Sequence, residues 1–522
     1  MGHVDHGKTT LLDTLRKYNK KSVEDSLKGA ATGATKASVV VPTAPKPSKN
    51  DKKKATSSEV AEVAGSEAGG ITQKLSAFGV EIGAGRKVMF LDTPGHAAFS
   101  SMRNHGAVAT DLVILVVAID DGVRPQTLEA LNMAKNANCS IIVVLNKIDK
   151  IPYEERTAAR SRVLTQLLNN DLIAEEFGGD VQVVEVAGRT GEGISQLMEG
   201  LLLQAEVLEL QAAITGQAEA VVLDANMEKG KGVVADILVR WGALNVGDPI
   251  VVGGSWGKVK SMVNDKGEPV KTALPSNAVR LLGLRTLPAS GQEMLSVDTE
   301  TIAKEIADRR LAEANVRRIR DETLAQRRAE AKARADAALL AGDILGATAA
   351  KESVEKIKVN VVIKADGVGT LEALKQIVQG IASRAVSDVE IVVVSSAVGD
   401  VSTSDVELVA AGGDGLILAF NVGIVDSETR SMAKVRDVNI VRDDVIYRLE
   451  DELVRTMLSH LPKERSLQRE VRMLLDLFYI SHSCNFLLTV FPFSQLSFLC
   501  RVWPRYRRSS TLPATARLLW RV

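Results

Sequence analysis

Eight residues at the head of the sequence, Gly2-His3-Val4-Asp5-His6-Gly7-Lys8-Thr9, have the types and spacing of a phosphate cradle. Glycines at both ends let the backbone curl until its N–H groups point at phosphate oxygens. Lys8 is spaced to reach the β- and γ-phosphates. The Thr9 hydroxyl suits Mg²⁺, a hard cation that takes oxygen donors. LLDTLRK (11–17) reads as a helix, whose positive end would add to the cradle. His3 and His6 read first as loop-shaping and packing residues.

Two further motifs each end an apolar strand. Asp92-Thr93-Pro94-Gly95-His96 supplies an acid that can hold Mg²⁺ through water and a Gly95 N–H for the γ-phosphate. His96 directly follows, where it is expected to position an attacking water rather than sit idle on the surface. Asn146-Lys147-Ile148-Asp149 offers the Asp149 carboxylate, which can accept from guanine N1–H and N2–H₂. Adenine lacks that donor pair, so the motif selects GTP over ATP. Gly69-Gly70-Ile71-Thr72-Gln73 closes a stretch without periodicity, and Thr72 is expected to close over Mg²⁺ and the γ-phosphate. That makes 18–72 an order–disorder switch segment. A zinc site is not expected, because His105, His460 and His482 are dispersed and no Cys has ligand spacing.

The elements that must carry these motifs form an α/β multidomain chain. Residues 1–212 read as a P-loop GTPase domain. It has strands at KVMFLD, LVILVVAID, SIIVVLNKID and VQVVEVAG, with helices between them. Apolar strands alternating with helices imply a parallel sheet covered on both faces, with ligands at the strand carboxyl ends. Residues 19–66 form a low-complexity insertion, Lys-, Ala-, Thr- and Pro-rich. Residues 215–300, with short strands and frequent Gly turns, read as a small antiparallel β-barrel. Residues 301–356 begin with a long Ala/Arg/Glu helix, read as a charged, solvated connector. Residues 357–460 return to a second α/β domain, and 461–522 fit no element.

The 522 residues hold 65 basic and 65 acidic side chains, which suggests no excess of either charge. The sum hides two unlike parts. Residues 465–522 carry nine Arg, no Lys and two acids, so 1–464 are acidic by seven charges. Contact with RNA is therefore expected only on local patches. Cys139, Cys484 and Cys500 cannot build a disulfide framework. Residues 477–500 lack Asp, Glu, Lys and Arg and are long enough to span a bilayer. Pro492 and many Ser, Asn and Gln make a membrane anchor the lesser reading, and a foreign or misread extension the greater.

GHVDHGKTTLLD, GGITQ, DTPGHAAFSSMR and NKID together resemble translational GTPases. GGITQ, with VNVVIKADGVGTLEALKQIV and GLILAFNV, resembles the bacterial-type translation initiation factor 2 family over about 1–460. The resemblance implies a GTPase that places formylmethionyl initiator tRNA on the small ribosomal subunit and promotes joining of the large one. It implies that Asp5 to Thr10, Thr10 included, bind phosphates, and that Thr9, Thr72 and Asp92 surround Mg²⁺. His96 would orient the water, and Asn146, Lys147 and Asp149 would read guanine. The ribosome would activate hydrolysis, and the factor is expected to be a monomer.

Four departures from the family pattern bear on this. The family has a strand before the phosphate loop, so its absence is expected to leave neighbouring strands unpaired and the loop unanchored. The insertion is unusual. The last guanine-side loop reads Ala187-Gly188-Arg189 instead of Ser-Ala-Lys, and Gly188 is expected to keep the backbone N–H contact. The final domain that holds the aminoacyl end is not recognisable, which puts tRNA binding in doubt. On this reading the chain is a fragment of a longer factor. An elongation-type GTPase and a truncated product without activity remain the alternatives. The insertion and tail suggest a nuclear gene and an organelle, mitochondrion before plastid, with the bacterial cytoplasm as the other setting.

Overall fold

The computed structural model describes residues 1–17, 72–82, 86–342, 357–384, 389–413 and 415–459. The readings of the 19–66 insertion, Gly69 to Ile71, residues 343–356, His460, and the tail with Cys484, Cys500 and His482 fall outside these. The chain divides into two compact units, Met1–Leu453 and Val454–Val522. Of the second, only 454–459 are described, as the end of a helix.

In the N-terminal part, helix α1 (8–17) follows the phosphate loop. Strands β1 (Ser76–Glu81) and β2 (Lys87–Asp92) form an antiparallel pair. Strands β3 (Leu112–Ala118), β4 (Ser140–Asn146) and β5 (Gln182–Glu185) form a parallel sheet in that order. Helices α2 (Ser100–Ala109), α3 (Pro125–Asn136), α4 (Tyr153–Leu168) and α5 (Ile194–Val207) connect them. The strands are apolar without alternation because both faces are covered. Ile142 and Val144 pack with Leu11, Leu15 and Leu197 on one face. Val143 and Leu145 pack with Leu131 and Leu164 on the other. Pro125 opens α3, where its missing N–H costs nothing.

Two expectations need correction. The strand at 87–92 does not join the parallel sheet; it pairs with β1, which the sequence reading missed, and Phe78 stacks on Phe90 with centroids 5.6 Å apart. The phosphate loop is not unanchored. Met1 and Gly2 lie in register beside β3: the Met1 amine donates to Ile114 O at 2.6 Å, and Val116 N–H donates to Met1 O at 2.8 Å. These two residues of ladder tie the loop to the sheet. Beyond them, β2 and β3 are separated by a cavity of 490 Å³ lined by Leu11, Leu15, Val88, Phe90, Leu112 and Ile114.

Strands β6 (Glu219–Glu228), β7 (Gly232–Trp241), β9 (Pro249–Val252), β10 (Ser255–Asn264), β13 (Ala278–Leu284) and β14 (Glu293–Ser296) form a closed antiparallel barrel. Pairing of β9 with β10 closes the ring. The short strands β8 (Leu244–Asn245), β11 (Pro269–Val270) and β12 (Thr272–Ala273) elaborate it. Its interior is filled by Val222, Ile237, Ile250, Leu281 and Met294. Helix α6 (Glu300–Gly342) leaves the barrel and is exposed over most of its described side chains. Ala303 and Ala307 seat its first turns on Val251.

The second α/β part is a four-stranded parallel sheet, ordered β16-β15-β17-β18: β15 (Ile357–Ala365), β16 (Val389–Val398), β17 (Gly415–Phe420), β18 (Asn439–Asp443). Helices α7 (Val368–Arg384), α8 (Thr403–Ala411), α9 (Ser427–Val435) and α10 (Ile446–Ser459) surround it. α7 lies against the 3₁₀ turn Ala97–Phe99 and against α2, next to His96.

Candidate nucleotide site

The phosphate loop is shaped by steric need at its ends. Gly2 has φ +144°, and a Cβ there would lie 2.4 Å from Val116 O. Gly7 sits at φ +76°, left-handed, and turns the chain into α1. Between them, His6 is fully buried and its Nδ1 lies 3.2 Å from Val116 O. Burial pushes its pKa down to about 4. His3 meets Gln126 Oε1 through Nδ1 at 2.5 Å. Val4 N–H turns toward the same Gln126 oxygen at 3.4 Å, while Asp5 and Thr10 are exposed.

Lys8 donates to Gly2 O at 2.9 Å and to His3 O at 2.6 Å. Burial lowers its pKa to about 8, with nearby Asp92 opposing. The ammonium thus stays largely charged at neutral pH while bound to its own loop, and an incoming phosphate would exchange for two carbonyls. Gly95 packs so closely on it that a Cβ there would lie 2.3 Å from Lys8 Nζ.

The three proposed Mg²⁺ ligands come together. Thr9 Oγ1 lies 2.8 Å from Thr72 Oγ1, and Thr72 Oγ1 lies 3.4 Å from Asp92 Oδ2. Two hydroxyls and one carboxylate are hard oxygen donors, which fits Mg²⁺. Asp92 ends β2, so it is held by a rigid element.

Asn146 links three loops. Its Nδ2 donates to His6 O at 2.8 Å and Gly7 O at 3.3 Å. Its Oδ1 accepts from Lys147 N–H at 2.8 Å and Gly188 N–H at 3.0 Å. The Gly188 N–H, expected to face guanine, is here committed to Asn146. Thr14 Oγ1 donates to Gly188 O, tying the same loop to α1. Lys147 takes a left-handed φ of +66°, and Asp149 stands exposed on the 3₁₀ turn that follows.

His96 Nδ1 accepts Ala98 N–H at 3.2 Å. The neutral ring therefore carries its proton on Nε2. Burial, aided by Arg103, pushes its pKa down to about 4, so it is uncharged at neutral pH. The sequence reading missed Arg103, which is fully buried, pairs with Glu129 at 2.8 Å and donates to His96 O. A charged residue on the inward face of a helix whose other buried positions are Met, Ala and Gly was the available signal. It also missed Tyr447, whose ring centroid lies 4.3 Å from that of His96.

A phosphate loop, an acid-ended strand and a guanine-type motif on a sheet followed by a barrel define a translational GTPase fold. Residues 1–206 match the Elongation factor Tu GTP binding domain, 217–297 match Elongation factor G domain 2, and 341–454 match Translation-initiation factor 2. The chain is 38% identical over 464 residues to Translation initiation factor IF-2 of Acinetobacter baumannii (strain AYE), covering 89% of this chain and 44% of that protein. Translation initiation factor IF-2 of Alcanivorax borkumensis is 38% identical over 465 residues, with the same shares. The chain thus spans less than half the length of these curated relatives. Among solved structures, GDP-bound aIF5B from Aeropyrum pernix aligns at a TM-score of 0.45 and 25% identity, covering 91% of this chain and 75% of that one. Over 464 residues the chain is thus a homologue of bacterial translation initiation factor IF-2.

Proposed function

We propose that this chain binds and hydrolyses GTP as part of a translation initiation factor. The observation that carries the reading is the convergence of Thr9, Thr72 and Asp92 oxygens beside Lys8. That set holds Mg²⁺, which neutralises charge on the phosphates when bound. Lys8 then releases Gly2 O and His3 O to meet phosphate oxygens, and the loop N–H groups, with Gly95, complete the cradle. Asn146 fixes the loop against the Asn146–Asp149 turn, so that Asp149 reads guanine while the phosphates are held. Neutral His96, with its proton on Nε2, acts as a donor that orients the water and does not need to remove its proton.

The partners proposed are the small and large ribosomal subunits. Formylmethionyl initiator tRNA is proposed for the longer factor, since residues 461–522 carry no recognisable counterpart of the tRNA domain. The bacterial relatives support a bacterial-type factor. The mitochondrion is the compartment proposed, on the insertion and tail, with the bacterial cytoplasm as the alternative. Titration of the chain with GDP, GTP and ATP tests the core of this reading. Binding of both guanine nucleotides without ATP is the expected result, and equal affinity for ATP overturns it.

A further inference from the structure

One short segment of the second α/β part holds both sides of the nucleotide site. Gln73, the neighbour of Thr72, donates through Nε2 to Asp444 O at 3.0 Å, and its Oε1 accepts Ile446 N–H at 3.3 Å. The next residue, Lys74, pairs with Asp366 at 2.5 Å. On the other side, the Tyr447 ring meets the His96 ring at 4.3 Å with planes at 74°. Edge-to-face contact of this kind fixes orientation as well as contact. The site arranged for a cation at Thr9, Thr72 and Asp92 thus has its flanking segments, at Gln73 and at His96, both held by residues 444–447.

We propose that Tyr447 is a positioning residue for GTP hydrolysis, holding the His96 imidazole in its working orientation through aromatic contact. The proposal rests on the GTPase reading. Among the described residues, the His96 ring is met by the Phe99 ring, with its centroid 6.3 Å away, and by two closer groups: the Ala98 N–H on Nδ1 and the Tyr447 ring. The first fixes the tautomer. The second packs edge-to-face on a half-buried ring, and so helps to set which way Nε2–H points. The charged groups around this pair are Arg103, which faces His96, and Asp5 and Glu450, which face Tyr447. Loss of the Tyr447 ring should leave GTP binding intact, because Tyr447 touches no phosphate-cradle donor, and should slow the chemical step.

The test compares Tyr447→Ala and Tyr447→Phe in the full chain. Under single-turnover conditions, Tyr447→Ala should lower the hydrolysis rate about 10-fold with the GTP half-saturation within about 2-fold, and Tyr447→Phe should restore the rate. NMR titration of His96 gives a second readout. Its midpoint should move up from about 4 toward 6.5 in Tyr447→Ala and stay low in Tyr447→Phe. If Tyr447→Ala fails to fold by circular dichroism, Tyr447→Leu, which keeps the apolar volume, should show the same loss of rate. An unchanged rate, or a His96 midpoint indifferent to residue 447, overturns the proposal. Absence of GTP hydrolysis by the unaltered chain with ribosomes present defeats the GTPase reading instead, and the His96 titration then decides the contact alone.

Discussion

The Thr9 hydroxyl meets the Thr72 hydroxyl at 2.8 Å, although 63 positions separate them in sequence. The contact joins the end of the phosphate loop to the residue that closes the unpatterned segment. With Asp92 it gathers three oxygens that carry a single negative charge.

Such a trio gains most from a dication shared with phosphate oxygens. Thr72→Val keeps the shape of residue 72 and removes one ligand. The half-saturating Mg²⁺ for GTP hydrolysis should rise about 10-fold, by analogy with the loss of one well-placed donor. GDP affinity in excess chelator should hardly change. A Mg²⁺ requirement identical to that of the unaltered chain would remove Thr72 from the site.

Asn146 is nearly fully buried and spends both polar atoms on four backbone groups. Asn146→Ala leaves His6 O, Gly7 O and Gly188 N–H without that partner. Unmet buried groups cost about 1–3 kcal/mol each, partly recovered by water, so a net loss of about 2–4 kcal/mol is expected. Thermal unfolding should show it as a lower Tm, and GDP affinity should fall as well, because all three loops border the proposed nucleotide site. Loss of affinity with no change in Tm would mean that Asn146 acts on nucleotide alone.

Much of this was legible in sequence, for identifiable reasons. The strands LVILVVA and SIIVVLN are runs of apolar and β-branched residues because both their faces are covered, and such runs read without context. The phosphate loop reads because its chemistry lies in contiguous residues. β1 did not read: Ser76-Ala77-Phe78-Gly79 has no β-branched run, and its partner fixes it. Gln73 and Tyr447 could not be assigned, since each acts through contacts distant in sequence, whereas Arg103 was signalled by a charge among small and apolar positions of its helix. Gln73 and Ile446 lie 373 positions apart. Gly188 was expected to offer its N–H to guanine, but that N–H donates to Asn146 Oδ1, and its partner depends on where the Asn146 side chain turns.

Gly95 packs directly on Lys8. A methyl there would lie 2.3 Å from Lys8 Nζ and 3.0 Å from the Val4 backbone. The lysine tip can swing away, whereas Val4 cannot, so Gly95→Ala should displace Lys8 from the cradle and not unfold the domain. GTP hydrolysis should fall about 100-fold, as for removal of one charge-stabilising donor. Circular dichroism should stay native. Retention of more than half the activity would show that Lys8 does not need its present position.

Asp224 on β6 is the last case, because its charge is set by burial away from the nucleotide. Its Oδ1 accepts Gly369 N–H at 3.1 Å, at the start of α7, and Ala225 N–H at 2.9 Å. Burial raises its pKa from 3.8 to about 6, against the pull of those two donors. The folded protein therefore binds a proton more tightly than the unfolded chain between about pH 4 and 6. The sign follows: with more protons bound in the folded state, stability falls as pH rises through this window and levels off above about 6. Asp224→Asn keeps an oxygen acceptor for both N–H groups and carries no charge. Relative to the unaltered protein, it should be gaining stability across pH 4 to 6, reaching a plateau of up to about 3 kcal/mol. Urea unfolding of both proteins from pH 4 to 8 measures the difference. A difference that does not vary with pH would mean that Asp224 is ionised in the folded state throughout, with Gly369 N–H and Ala225 N–H outweighing its burial.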